Sequence, residues 1–324
     1  TGRATSFVAQ TPFHSGPAAR CRTPVSYTLG AINTMRIPGL IALLLLCATS
    51  STMAIDLASL WDFSKPDISE QRFRQALERA TGDDALILQT QIARTYGLRK
   101  DFEAARGILR QIESAVAGAG PEARIRYFLE LGRSFASATH TPDQMTADDR
   151  ARARQSFEAA LNTARAAKMD ALAVDSIHMF AFLDTAPADQ LRWGLAALEI
   201  VQASPQPDAK RWEPSIRNNV GYALHQLGRH EEALTQFQQA LVLLERGTNS
   251  DAIRIAHWMV AWTLRSLNRV DEAFEIQLRL EKENDAAGKP DPYVFEELET
   301  LYRGRGNLAR AEHYSKRKLS AGKQ

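Results

Sequence analysis

The chain has 324 residues with 44% hydrophobic and 24% charged side chains, a balance that allows one or two globular units and excludes disordered and collagen-like classes. Its formal net charge is +2, but four arginines precede the first acidic residue, so 36 basic and 38 acidic side chains remain from residue 55 onward. This near-neutral balance argues against a nucleic-acid-binding surface, which needs clustered Lys and Arg.

The N-terminal region has the features of a removable leader. Residues 1–34 contain no Met and no hydrophobic period, so they are expected to be a disordered extension or mis-assigned upstream sequence. A charged region beginning at Met35 then precedes an apolar run over residues 40–47 and a small-residue end at Ala54. This order is typical of a secretory signal peptide over residues 35–54, cleaved after Ala54. It predicts export to a periplasm or to the cell exterior.

Alternatives remain open for this leader. All of the first 54 residues have the Arg-rich, Ser-rich and acid-free composition of an organellar transit peptide, so an organellar or a cytoplasmic location is the alternative to export. The cysteines, Cys21 and Cys47, both lie within the leader. The mature chain is therefore expected to have no disulfide, thiol nucleophile or thiolate metal site.

A first helix is predicted soon after the leader. Asp67 and Glu70 have the spacing of a capping box, which predicts a helix that begins there and runs through about Ala80. The predicted division of the mature chain is an N-terminal segment with this capping helix at residues 55–83, followed by a repeat region at residues 84–324.

The repeat region contains its clearest copy at residues 219–241. Two amphipathic patterns are joined there by a Leu-Gly-Arg turn, and Gly228 is expected to supply the positive φ that ends the first helix. Gly221 and Ala233 are small enough to let two helices approach closely, while Phe237 belongs to the apolar seam. The pattern predicts an antiparallel helix pair.

Similar copies precede and follow this one. Their spacing is 38 to 46 residues, an insertion is expected at residues 139–149, and none of the nine prolines after Ala54 interrupts a proposed helix. We call the position of Gly221 the first small position of its copy. In the six copies this position falls at Ala93, Gly132, His178, Gly221, Ala261 and position 299.

This pattern resembles the tetratricopeptide repeat family. Gly221, Gly228, Ala233 and Phe237 match its small, turn, small and aromatic positions, although Arg217 stands where the family usually has Trp. The resemblance implies an all-α, right-handed superhelical solenoid of antiparallel helix pairs, with about six repeats and an N-terminal capping helix. Because the spacing exceeds the usual 34 residues, each pair is expected to have an extended helix or loop.

The resemblance also implies a binding surface. First helices of the family line the concave face of the superhelix, and Asn219 occupies a position where peptide-binding members often place an Asn. The basic clamp that some members use for C-terminal carboxylates is incomplete, because Asn218 and Tyr222 lack its charge. The expected concave-face residues are Arg94, Arg126, Arg133, Asp175, His178, Asn218, Asn219, Tyr222, Trp258 and Trp262.

Two features of this surface have a functional and a structural interpretation. Trp258 and Trp262 are four residues apart, so they form either an exposed aromatic anchor or a packing contact with Leu224 or Tyr222 of the neighbouring repeat. His178 stands where a small residue is expected. It is either a hydrogen-bonded core histidine or a ligand contact acting with Asp175.

The sequence contains no catalytic, metal or cofactor motif. It lacks a Gly-x-Ser-x-Gly elbow, a phosphate-binding loop and a His-Glu-x-x-His helix, and no pair of its seven histidines has ligand spacing on one helix face. We therefore expect neither a cofactor nor a metal.

These observations favour a non-catalytic scaffold or adaptor that binds a protein or peptide partner on its concave face, without nucleic acid and without membrane insertion after signal cleavage. One alternative is a hydrolase-like enzyme with a site around His178 and Asp175. Another is an assembly or regulatory subunit that binds through its convex face or its ends.

Overall fold

A computed structural model describes residues 55–321, which form helices and contain no strand. The predicted extension, the signal peptide and both cysteines lie outside the described residues. Within residues 55–321 no helix is both long enough and apolar enough to cross a membrane.

The helices are arranged as an N-terminal segment followed by six consecutive pairs. The N-terminal segment contains α1 (Leu57–Leu60) and α2 (Pro66–Leu77). The pairs are α3 (Gly82–Leu98) with α4 (Phe102–Val116), α5 (Pro121–Arg133) with α6 (Ala147–Ala166), α7 (Asp170–Phe180) with α8 (Pro187–Ala203), α10 (Glu213–Gln226) with α11 (His230–Leu244), α12 (Ser250–Ser266) with α13 (Val270–Ala286), and α14 (Pro292–Gly304) with α15 (Leu308–Ala321). A short α9 (Pro207–Lys210) precedes the fourth pair, and a 3₁₀ turn (Pro142–Gln144) lies in the expected insertion.

The pairs stack in chain order. The two helices of each pair pack together, and the second helix of each pair contacts the first helix of the next. This is the all-helical solenoid that the sequence predicts, while the handedness of its superhelix remains a prediction. The largest group of buried apolar side chains runs from Ile125 to Tyr314, so the seams of the second to sixth pairs merge into one core. The first pair and the N-terminal segment contribute two smaller clusters of their own.

The capping helix is confirmed as an element, but its predicted start is wrong. α2 begins at Pro66, whose missing N–H costs nothing at the first helical position, and no side chain caps it. Ser69, which lies between the two residues of the predicted box, binds the preceding loop. Its Oγ accepts a hydrogen bond from the Asp62 N–H at 2.7 Å and donates one to the Asp62 carbonyl at 3.0 Å. The helix ends at Leu77, before the expected Ala80.

The predicted small positions are confirmed by close contacts within the pairs. A Cβ atom added to Gly221 would lie 2.8 Å from Cε1 of Phe237, and one added to Gly132 would also collide with the ring of Phe157. Both phenylalanines are fully buried. The aromatic ring of the second helix therefore packs directly on the backbone of the first.

The turn of the clearest copy has the predicted conformation. Gly228 has a φ of 74°, its N–H donates to the His225 carbonyl at 3.0 Å, and the Arg229 N–H donates to the Leu224 carbonyl at 2.9 Å. These two bonds define a Schellman motif, which satisfies carbonyls left open at the helix end. Asn268 forms the same turn in the next pair with a φ of 60°.

Candidate functional site

The first helices of the first three pairs are connected by ion pairs. Nη1 of Arg94 on α3 lies 3.4 Å from Oε1 of Glu130 on α5. One turn further along α5, Arg133 donates to Glu130 at 2.5 Å and to Oδ1 of Asp175 on α7 at 2.5 Å. All four side chains are at least largely buried. We call this group the charge cluster.

The contacts continue along the first helices of the later pairs. Nδ2 of Asn219 on α10 lies 3.4 Å from Nδ1 of His178 on α7. Trp262 on α12 stacks on His225 with ring centroids 3.4 Å apart and on Tyr222 with centroids 6.2 Å apart. Each first helix thus touches the next through side chains on one face, which we call the first-helix face.

A pocket of about 240 Å³ opens beside the charge cluster. Its charged and polar wall includes Arg94, Glu130, Arg133, Asp175 and His178. Its apolar wall includes Phe63, Leu98, Met179, Phe182 and Trp212. A pocket with a mainly apolar lining and a few convergent polar groups is the usual form of a ligand site.

The buried charges of the cluster shift one another's proton affinities. Burial by itself lowers the pKa of Arg133, but the adjacent Asp175 and Glu130 outweigh it and raise that pKa above its ordinary value. Burial likewise raises the pKa of Asp175, yet Arg133 and Arg94 lower it overall. For Arg94, burial and the neighbouring Arg133 both lower the pKa. Of the two arginines of the cluster, Arg133 has its positive charge well compensated by the neighbouring carboxylates, and Arg94 does not.

His178 is a neutral imidazole in this environment. Burial lowers its pKa to about 4, and the nearby Asp175 only partly opposes that effect. Because the amide nitrogen of Asn219 can only donate, Nδ1 of His178 accepts and the ring proton lies on Nε2. Phe182 and Trp212 border the ring, with centroids 5.7 and 5.9 Å away.

The structure brings together part of the predicted site. Arg94, Arg133, Asp175 and His178 all line the pocket. Arg126 does not line it and pairs with Glu122 on its own helix at 2.8 Å. Asn219 borders a second, much smaller cavity of about 20 Å³ on the other side of His178.

Trp258 and Trp262, for which the sequence left an exposed anchor and a packing contact open, lie mostly inside the protein. Trp258 and Tyr222 are buried, Asn218 is buried beside them on α10, and Trp262 is half-buried. Trp262 stacks on Trp258 at 5.7 Å between centroids, in addition to Tyr222 and His225. These contacts favour the structural interpretation of the pair, since stacking these rings removes their apolar faces from water between neighbouring repeats.

Glu130 lies one turn before Arg133 on the face that the sequence assigns to the binding surface, a spacing that signals an ion pair on the helix face. Several aromatic residues of the pocket were not among the predicted site residues. The sequence gives no indication that Phe63 and Trp212 line the pocket, because Phe63 belongs to the N-terminal segment and Trp212 precedes α10. Among residues 55–321, no cluster of three or more His, Cys, Asp or Glu side chains is placed to hold a metal ion.

Comparison with known proteins agrees with the helix pairs. Residues 212–280, which cover the fourth and fifth pairs, match the tetratricopeptide repeat family. Residues 212–280 are therefore a segment of tetratricopeptide-repeat type. The matched segment contains Gly221, Gly228 and Phe237, the residues that form the close contact and the Schellman turn. No curated protein sequence matches the chain.

Solved structures extend the likeness to most of the chain. The apo form of RapI is similar with a TM-score of 0.61 and 12% identity, covering 81% of this chain and 72% of RapI. BtubC from P. vanneervenii has a TM-score of 0.38 and 15% identity, covering 82% of this chain and 91% of BtubC. Acl4, an assembly chaperone of RpL4, has a TM-score of 0.41 and 18% identity, covering 79% and 96%. Only the RapI score is high enough to indicate a common fold.

Proposed function

We propose that this tetratricopeptide-type protein is a non-catalytic scaffold that binds a protein or peptide segment along its first-helix face, the concave face of such folds. The observation that carries the proposal is the pocket of about 240 Å³, which is lined from α3, α5 and α7 together. A surface assembled from three successive helix pairs suits an extended partner, because each pair adds contacts next to those made by the preceding pair.

The side chains of the pocket suggest how a partner segment is held. Phe182 and Trp212 offer aromatic surface for an apolar anchor, which is the usual source of affinity in such contacts. Arg94 offers donors for main-chain carbonyls of the partner. Trp262, half-buried two pairs further along, extends the same face.

The geometry supports a non-catalytic role over the hydrolase alternative. His178 and Asp175 do share the pocket, as that alternative requires. However, Oδ1 of Asp175 is bound by Arg133 and Nδ1 of His178 is bound by Asn219, and among residues 55–321 no carboxylate is hydrogen-bonded to the imidazole. An imidazole with a pKa of about 4 is also a weak general base at neutral pH.

A specific observation also favours the third alternative, binding through an end of the solenoid. Helix α15 exposes 64% of Leu308 and 65% of Leu319. Two exposed leucines on a terminal helix suit an assembly contact. This end is therefore included in the test.

Site-specific photo-crosslinking distinguishes these surfaces. The photoreactive residue is placed at Ala138, which is exposed at the pocket, at Val242 on a second helix, and at Leu319 on the last helix. We expect one partner to be crosslinked from Ala138 and not from Val242. Crosslinks from Leu319 alone support end binding, and crosslinks from Val242 alone overturn the proposed face.

We also propose that the scaffold works after export, with the leader removed. The support is the signal-peptide pattern that ends at Ala54. Cell fractionation with N-terminal sequencing tests this, and the expected product begins at Ile55 in an exported fraction. A full-length chain retained in the cytoplasm contradicts it.

A further inference from the structure

The pocket beside the charge cluster contains a cationic and an anionic group whose hydrogen bonds are not all used. Within residues 55–321, the side chain of Arg94 makes one hydrogen bond, from Nη1 to Oε1 of Glu130 at 3.4 Å. The Nε and Nη2 groups of this side chain make none within that range. Asp175 bonds Arg133 through Oδ1 only. Oε2 of Glu130, a residue only 3% exposed, is buried without a donor among the described residues.

The charges of the cluster balance before any ligand enters. Arg94 and Arg133 carry two positive charges, and Glu130 and Asp175 carry two negative ones. A ligand with one net charge would leave that charge uncompensated in a largely dehydrated site, which is unfavourable. A ligand with one positive and one negative group would leave the balance unchanged and use the open donors and acceptors.

The remainder of the pocket is shaped for an apolar body. An engineered cavity of about 150 Å³ accommodates benzene, and this pocket measures about 240 Å³. Leu98, Met179, Phe182 and Trp212 form its apolar wall. An aromatic ring and a small zwitterionic head therefore fit together.

We infer that this pocket binds a small zwitterion with an aromatic or large aliphatic body, of the chemical class of free α-amino acids. Its carboxylate lies on Nε and Nη2 of Arg94, and its ammonium group lies toward Asp175 and Glu130. His178, with its proton on Nε2, contributes a further donor to the same wall. The amino acid and an anchor side chain of a protein partner would occupy the same pocket and therefore compete for it, but the amino-acid site does not depend on the scaffold proposal.

Calorimetric titration of the full chain tests this inference with four matched probes. L-phenylalanine is compared with 3-phenylpropanoate, which lacks the ammonium group, and with 2-phenylethylamine, which lacks the carboxylate. N-acetyl-L-phenylalanine amide, which lacks both charges, represents an internal residue of a peptide. We expect L-phenylalanine to bind about tenfold tighter than any of the other three, because each of them leaves a buried partner unsatisfied.

Two results overturn the inference on the unaltered chain alone. One is the absence of binding heat with L-phenylalanine and also with L-tryptophan. The other is equal affinity for the capped amide or for a singly charged analogue. Crosslinking of a partner at Ala138 without amino-acid binding refutes the zwitterion site and leaves the scaffold proposal standing.

A variant with altered preference gives a readout that simple destabilisation does not imitate. Arg94→Met leaves two carboxylates and one guanidinium, so we expect about tenfold weaker binding of L-phenylalanine and tighter binding of 2-phenylethylamine. Arg126→Met, outside the pocket, should keep the original preference. If Arg94→Met does not fold, Arg94→Lys is used instead. It retains the positive charge and should keep the order of the four probes in binding affinity. A folded Arg94→Met protein with an unchanged order refutes the assignment.

Discussion

Arg133 and Asp175 are joined by a hydrogen-bonded ion pair with 2.5 Å between Nη2 and Oδ1, although 42 residues separate them in the chain. The bond connects the first helices of the second and third pairs. Arg133 also binds Glu130 at 2.5 Å, so one guanidinium compensates two buried carboxylates. Removing it would leave both without their main counter-charge.

Arg133→Met is therefore expected to lower the free energy of unfolding by about 3–5 kcal/mol, the usual cost of breaking a buried ion pair from one side. Urea unfolding followed by circular dichroism measures the change. Arg126→Met is the control, because its partner Glu122 is partly exposed and such a pair contributes about 1 kcal/mol or less. Equal losses in the two variants would contradict the role of Arg133.

Gly221→Ala tests the close contact within the fourth pair. The new methyl group would lie 2.8 Å from Cε1 of Phe237, which is 1% exposed and has little room to move. We expect the free energy of unfolding to fall by about 1–3 kcal/mol through overpacking. Gly107→Ala, on α4, meets only the end of Arg110 at 3.8 Å and should raise stability by about 0.5–1 kcal/mol. If Gly221→Ala stabilised the protein as Gly107→Ala is expected to, the close contact between Gly221 and Phe237 would be refuted.

Gly228→Ala tests the turn and not the packing. No atom lies within 4 Å of the added Cβ, so any loss of stability comes from the φ of 74°. The left-handed conformation costs an L-residue about 1–2 kcal/mol, which should appear as a lower urea midpoint with an unchanged slope. Gly304→Ala also has open space, but its φ lies outside that region, and it should cause no loss.

Protonation of His178 should make stability depend on pH. The folded-state pKa is about 4, below the ordinary value of 6.5, so the unfolded chain binds a proton more readily than the folded one. This contribution to stability is fully present above pH 6.5 and is lost as the pH falls toward 4. Each pH unit within that window changes the free energy of unfolding by up to about 1.4 kcal/mol.

The measurement compares unfolding of the wild type and of His178→Gln between pH 7.5 and 5. We expect the variant to lose less stability than the wild type over this interval. Identical slopes for the wild type and His178→Gln would contradict the buried neutral imidazole.

Much of the architecture follows from signals within about forty residues of sequence. Gly228 and Asn268 mark the helix ends, Gly132 and Gly221 mark the close contacts, and prolines mark helix starts. These features act through backbone conformation and contacts inside one helix pair, so a single copy of the pattern is enough to predict them. The capping box at Asp67 failed because Pro66 provided a competing local start to the same helix.

The sequence by itself determined the helix pairs and their turns, since both repeat locally. Only the tertiary structure decided which side chains of the first-helix face are open. It buried Trp258 and Tyr222 between neighbouring repeats, and it assembled the pocket from three first helices together with Phe63 and Trp212. The physical reason is that burial and charge compensation depend on all the neighbours of a side chain, and those neighbours come from distant parts of the chain.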